Sequence, residues 1–189
     1  DTRDQSSKRL DFEFRHNLRL SPDARIGWGV GRRKDSAQSQ FFFTTDAVIK
    51  ESTSRAFANG EVKFGAVTTN LGASWEETTQ DESALSLRAS VNFKVSDSTT
   101  LRIARNNVDR GPSLMAANEY RTISYDGYVF DLDRLSHPGL GNETNRVTEI
   151  GAYSVFFDGA MTFDAKLYRE KGRDLIEVYT VRRTPLDFD

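Results

Sequence analysis

The sequence predicts an all-β fold: an antiparallel up-and-down meander of about eight to ten long strands, forming a transmembrane β-barrel or a segment of one. Three observations predict it. Apolar and polar residues alternate with a period of two over long stretches, no stretch of the 189 residues carries a helical period of ordinary length, and tight and long connections alternate along the chain.

The alternation is clearest at the start. Leu10, Phe12, Phe14, His16, Leu18 and Leu20 fall on one side, with Asp11, Glu13, Arg15, Asn17 and Arg19 on the other. At roughly 3.3 Å per residue this stretch spans about 35 Å, the reach of a tilted membrane strand and well beyond a typical soluble one. The turn cluster Ser21-Pro22-Asp23 follows, where proline fixes its own φ and the aspartate can bond the local backbone. Ala24, Ile26, Trp28 and Val30 then alternate with Arg25, Gly27, Gly29 and Gly31, and glycines on a polar face leave room for something bulky beside them.

Arg32 to Ser39 reads as a loop, and Phe41 to Lys50 as a strand or arm within a longer connection. Arg55 to Phe64 alternates less cleanly; a turn at Gly65 leads to Val67, Thr69, Leu71, Ala73 and Trp75. After the polar loop Glu77 to Ser83, the opening pattern returns at Leu85, Leu87, Ala89, Val91, Phe93 and Val95. Ser96-Asp97-Ser98 turns it back into Thr99 to Arg105. The region of about 106–146 then lacks regular pattern, apart from a possible short helical turn at Pro112 to Asn118, and loops of that length are usually functional or disordered. Val147 to Phe157 and Met161 to Arg169 form a hairpin about Asp158-Gly159, and Leu175 to Val181 is a further β-prone run. In a meander, this order puts the short turns at one end of the strands and the long loops at the other. Trp28, Trp75, Tyr153, Phe157 and Tyr168, near strand ends, are candidates for an interfacial aromatic girdle. The whole is read as one domain.

Composition removes several functions. Lys and Arg number 26 against 28 Asp and Glu, without the basic excess a nucleic-acid backbone binder needs. There is no cysteine, and His16 and His137 are the only histidines, so no metal centre or cofactor is expected. Glu76-Glu77, Asp81-Glu82 and Asp131/Asp133 read as solvated loop charge rather than acid/base pairs, and Asp126, Asp131 and Asp133 lack the compact spacing of a calcium loop. No catalytic residue stands out, and the chain is not expected to be an enzyme. No apolar run reaches the roughly 20 residues of a membrane helix, which leaves barrel strands untouched. Asp1 to Lys8 is polar throughout, so a signal peptide has been removed or the chain is an internal piece.

Several motifs agree in order and spacing with one family. Leu101-Arg102-Ile103-Ala104-Arg105 leads to Gly111-Pro112-Ser113-Leu114; His137-Pro138-Gly139-Leu140-Gly141-Asn142-Glu143 precedes Thr148-Glu149-Ile150-Gly151; and Leu167-Tyr168 precedes Asp174-Leu175-Ile176. Together with Ala66 to Glu76 and Arg25 to Arg33, the chain resembles part of the β-barrel of a TonB-dependent outer-membrane receptor. The second proline of the family's turn is absent, and a complete receptor, with a plug inside a barrel of roughly 22 strands, exceeds this length. The resemblance implies a place in the outer membrane of a Gram-negative cell, with lipid around the barrel. It also implies active import of a ferric chelate or similar scarce nutrient, such as a siderophore complex, energised by a periplasmic protein acting through a plug that lies outside this chain.

Candidate ligand residues come from the long loop: Arg110, Tyr120, Arg121, Tyr125, Tyr128, Arg134 and His137. Aromatic rings beside guanidinium groups suit a planar or anionic ligand. Glu13, Arg15, Arg19, Arg88, Lys94 and Lys166 line the polar strand faces, either as a hydrated lumen of mutually paired charges or as a solute path. Two alternatives remain open to the residues alone: a self-contained small outer-membrane barrel with a structural or adhesive role, and a soluble all-β binding module whose apolar face packs on a second sheet.

Overall fold

The computed structural model describes residues 5–39, 42–43, 47–79, 83–125, 128–135 and 139–177. Its main feature is one antiparallel sheet. β1 (Gln5–Ser21), β2 (Ala24–Ser39), β3 (Ile49–Phe64), β4 (Val67–Thr78), β5 (Ala84–Lys94) and β6 (Thr99–Arg110) pair in chain order, followed by β9 (Glu143–Phe156) and β10 (Met161–Arg173). Between β6 and β9 lie the short helix α1 (Leu114–Asn118) and a separate hairpin of β7 (Tyr120–Tyr125) and β8 (Tyr128–Leu135). The short helical turn expected near Pro112 is α1, capped by the Ser113 hydroxyl accepting from the Ala116 amide at 3.1 Å.

The two-residue period becomes two faces. Along the ladder Phe14, Val30, Ala56, Trp75 and Leu85 are successive cross-strand partners, as are Val91, Ile103, Ile150 and Leu167. This face, called outer below, is apolar and uncovered: Phe64 is 86% and Leu167 77% exposed. Among the described residues, the buried apolar side chains are Phe43, Ala84, Ala104 and Pro112, so the sheet has almost no core of its own. The inner face carries the polar set and is concave, enclosing about 1030 Å³ beside Asn17, Arg25, Asn59, Arg88, Asn92 and Arg102.

Several strands run further than the alternation indicates. Arg32 to Ser39, read as a loop, is the second half of β2, with Arg33 opposite Asp11 and Asp35 opposite Arg9. Polar residues occupy both faces there, which erases the period while leaving the ladder intact. β3 likewise begins at Ile49, β6 continues to Arg110 and β9 starts at Glu143. Phe42 and Phe43 form a turn rather than a strand, with the Phe43 amide donating to the Ser39 carbonyl at 3.1 Å; Phe41 and Thr44 to Asp46 lie outside the described residues. Leu175 to Glu177 is not a strand, and the rest of that β-prone run also lies outside them.

The short connections fall where expected. At the first turn the Ser21 hydroxyl, rather than Asp23, closes the local bond by accepting from the Asp23 amide at 3.2 Å. Gly65 takes the left-handed conformation (φ +56°) that its tight turn requires, as do Asp158 and Gly159 in theirs. Trp28 and Trp75 lie on the outer face, whereas Tyr153 and Tyr168 fall on the inner-face parity, opposite Asp164 and Glu149, which removes them from an outer girdle. His16 also faces outward, set edge-on to Trp28 at 5.9 Å.

Two predictions follow from these contacts. A Cβ on Gly29 would stand 2.5 Å from the Phe14 carbonyl and from the Phe57 ring, whereas one on Gly60 meets nothing within 4 Å. In the full-length protein Gly29→Ala is expected to cost about 1–3 kcal/mol, as overpacking does, and to lower the folded, heat-modifiable fraction on a gel, while Gly60→Ala leaves it unchanged. In the Ser96–Ser98 turn, Lys94 Nζ lies 2.6 Å from Asp97 Oδ1, and that hydrogen bond, then the charge of Lys94, hold the Asp97 carboxyl below its usual range. The turn's ionic contribution is therefore complete above the unfolded carboxylate pKa and lost as pH falls through the lowered folded value. A carbon-detected titration of Asp97 should return to the ordinary carboxylate range in Lys94→Gln.

Candidate functional site

The inner face is built from glycine seats and paired charges. β2 places Gly27, Gly29 and Gly31 opposite Asn17, Arg15 and Glu13 of β1, and opposite Asn59, Phe57 and Arg55 of β3. A Cβ at Gly31 would stand 2.7 Å from Arg55 Nε, so the missing side chain is the space through which Arg55 crosses β2 toward β1. There its Nη2 meets Glu13 Oε2 at 2.5 Å and Asp11 Oδ1 at 3.4 Å. Glu13 also binds Arg15, whose guanidinium sits over the Phe57 ring at 5.5 Å. Gly72 provides the same room for Arg88, which reaches across β4 to donate to Asn59 Oδ1.

Other inner charges are tied to a neighbouring strand or along their own. Arg25 pairs with Glu61 at 2.9 Å, Arg9 with Asp35 at 2.6 Å and Arg33 with Asp35 at 2.9 Å. Arg102 approaches Glu149 at 3.8 Å, and Lys166 meets Asp164 at 2.9 Å. Exposed pairs of this kind contribute about 0–1 kcal/mol each, and their larger effect is to fix where each side chain points across the concavity. Sequence reading finds Asp11, Glu13, Arg15, Arg19, Arg88, Lys94 and Lys166 on this face and sets Arg55 and Asn59 on the polar side of their strand, but misses Arg33, Asp35 and Glu61. The three glycines facing the polar side are the signal that points toward Arg55 and Asn59.

The loop residues divide. Arg110 ends β6 and is already engaged: its Nη2 and Nε lie 2.5 and 3.0 Å from Glu143 Oε2, while Glu143 Oε1 accepts from the Ile176 amide at 2.7 Å. The Glu143 carboxylate thus clasps the loop-side ends of β6 and β9 to the segment after β10. Tyr120, Arg121 and Tyr125 lie on β7, and Tyr128 and Arg134 on β8. Register makes Tyr125 the partner of Tyr128 and Arg121 the partner of Arg134. His137 lies outside the described residues, as does Asp126. The hairpin therefore brings four of the seven candidates into two cross-strand pairs.

A sheet of long antiparallel strands, apolar and bare on one side and charged on the other, with tight turns at one end and long loops at the other, defines a section of outer-membrane barrel wall. The TonB dependent receptor-like β-barrel family matches residues 1–188, and the chain belongs to that family, whose members are outer-membrane proteins. None of the curated proteins matches in sequence. Among solved structures, the FrpB iron transporter from Neisseria meningitidis (F3-3 variant) is similar in fold, with a TM-score of 0.69 and 14% identity. The match covers 90% of this chain but 29% of that one, so the chain spans less than a third of the transporter's length.

The Arg110–Glu143–Ile176 clasp is testable. Glu143→Gln should weaken the Ile176 amide's protection by about 1 kcal/mol, roughly fivefold faster hydrogen exchange, the usual worth of one hydrogen bond. An unchanged exchange rate at Ile176 would show that the clasp does not order this segment.

Proposed function

We propose that this chain is part of the barrel wall of an active-transport receptor in a Gram-negative outer membrane. The receptor binds a ferric chelate or similarly scarce nutrient at its loop end and imports it with energy from a periplasmic partner. The observation that carries this reading is the two-faced sheet: an outer face that nothing among the described residues covers, opposite an inner face of seated arginines and asparagines. Apolar surface of that extent is stable only against another apolar phase, and the lipid bilayer is the phase for which strands of this length are suited. Transport in this reading is binding and gating, without covalent chemistry.

The proposed ligand contacts are Tyr120, Arg121, Tyr125, Tyr128 and Arg134, together with Arg110 and His137. Support comes from the hairpin's register, which makes Arg121 and Arg134 cross-strand partners, two positions whose residue type suits an anionic ligand. Tyrosines paired in the same hairpin supply rings for a planar chelate. The soluble module would need a second sheet over the outer face. The self-contained barrel would need β1 to pair with β10, and each has one partner among the described residues.

In cells producing the full-length receptor, radioiron-labelled catecholate and hydroxamate chelates would be offered in turn. Arg121→Gln with Arg134→Gln is expected to raise the Kd of the transported chelate about 10- to 100-fold, as loss of charge-assisted bonds worth about 1.5–3 kcal/mol implies. Unchanged binding would remove both arginines from the site, and absence of energised uptake for every chelate would overturn the substrate class.

A further inference from the structure

Most arginines of the inner face have a carboxylate or amide partner, whereas a cluster of cations on the outer face makes no ion pair. Arg105 of β6, Arg146 of β9 and Arg169, Lys171 and Arg173 of β10 share the outer-face parity at the loop-side end of the sheet. Arg105, Thr148 and Arg169 form one cross-strand row, Asn107, Arg146 and Lys171 the next, and Asp109, Thr144 and Arg173 the one beyond. With strands about 4.8 Å apart and same-face residues about 6.7 Å apart along each, the five cations occupy a patch of roughly 10 by 14 Å.

Arg146 Nε donates to Asn107 Oδ1 at 2.9 Å, but among the described residues none of the five makes an ion pair. Asp109, the acidic residue in the outermost row, has one carboxylate oxygen buried without a hydrogen-bond partner and forms no ion pair with any of them. Directly below, toward the short turns, the same strands present Ile103, Ile150 and Leu167, then Leu101 and Phe163. At the opposite edge of the sheet Lys8, Arg32 and Lys34 likewise stand above the apolar part of β1 and β2.

We propose that this patch binds the phosphorylated headgroup of an anionic outer-leaflet lipid, whose acyl chains lie along the apolar rows beneath. The inference rests on the membrane reading above. Guanidinium groups take phosphate oxygens in pairs, and the five unpaired cations need several negative charges held close together. The threonines and Asn107 add hydroxyl and amide groups between the cations. Arginine and lysine stems lie on apolar strand surface while their charged ends reach the interface. The order of cations above apolar rows matches an amphiphile, which a free anion would not require.

The test uses the full-length receptor in nanodiscs of zwitterionic phospholipid doped with a bis-phosphorylated glycolipid, with retained glycolipid counted by native mass spectrometry. The variant Arg105→Gln/Arg146→Gln/Arg169→Gln should retain at least tenfold less, while its dephosphorylated counterpart binds wild type and variant equally weakly. Millimolar inorganic phosphate should fail to displace it. Equal retention in a variant that keeps heat-modifiable migration overturns the patch and leaves the membrane reading standing. Displacement by phosphate overturns the lipid in favour of a plain anion site. A wild-type receptor that does not insert overturns both. Should the triple variant not fold, Lys171→Gln/Arg173→Gln supplies the comparison, with severalfold loss expected and none overturning the proposal.

Discussion

Every other feature depends on the continuous ladder of main-chain hydrogen bonds from β1 to β10. In hydrocarbon an unpaired amide or carbonyl costs several kcal/mol, so a chain crossing it as strands must pair each strand on both sides over its whole depth. That requirement accounts for unbroken pairing through the apolar band, and the same ladder runs on past it, giving β1 17 residues and β3 16 and carrying segments such as Arg32 to Ser39 whose side chains have no period. It also makes β1 and β10 sites of obligatory pairing, because each offers one edge unmatched among the described residues. With almost no buried apolar side chain, the sheet takes its order from pairing and from the phase outside it.

Given that backbone, the inner face solves a spacing problem. Neighbouring strands stand about 4.8 Å apart, too close for arginines to lie flat unless the facing position is empty. Gly31 and Gly72 are such positions, and through them Arg55 and Arg88 extend over the next strand. Arg55 thereby reaches two carboxylates on β1, two strands away. The paired charges thus form a cross-strand lattice, and the two faces have different electrostatics: balanced within, basic and unmatched at the outer rim.

The sequence was most legible where one face was apolar. Leu10 to Leu20 and Leu85 to Val95 could be placed, faced and paired from their period because each second residue is greasy. Beyond the bilayer both faces meet water, so Arg33, Asp35 and Glu51 carry no alternation although they sit in the same ladder. Long-range partners were illegible for a different reason: the Arg55 contact with Asp11 and Glu13 depends on register across three strands, which no local window contains. Arg110 was legible as a loop arginine, but its pairing with Glu143, 33 residues on, was not. The hairpin of β7 and β8 was hidden by irregular pairing, since its register shifts twice within six residues.

The outer face carries one more piece of geometry that no single strand shows. The last apolar residue toward the loops is Leu10 in β1, then Val30, Ala56, Trp75 and Leu85, which form one row, and finally Ile103, Ile150 and Leu167, which form another. Leu10 lies two same-face positions above the first of these rows, and the second lies three below it. The apolar edge therefore slides by ten residues over the seven steps from β1 to β10, or by six over the six steps from β2. At about 3.3 Å per residue and 4.8 Å per strand, that slope corresponds to strands tilted by about 35–45° from the normal of the apolar layer. This is the tilt at which strands close into a barrel. An edge perpendicular to the strands would suit a sheet packed on another sheet; a slanted one is level only when the strands lean as a membrane barrel's do.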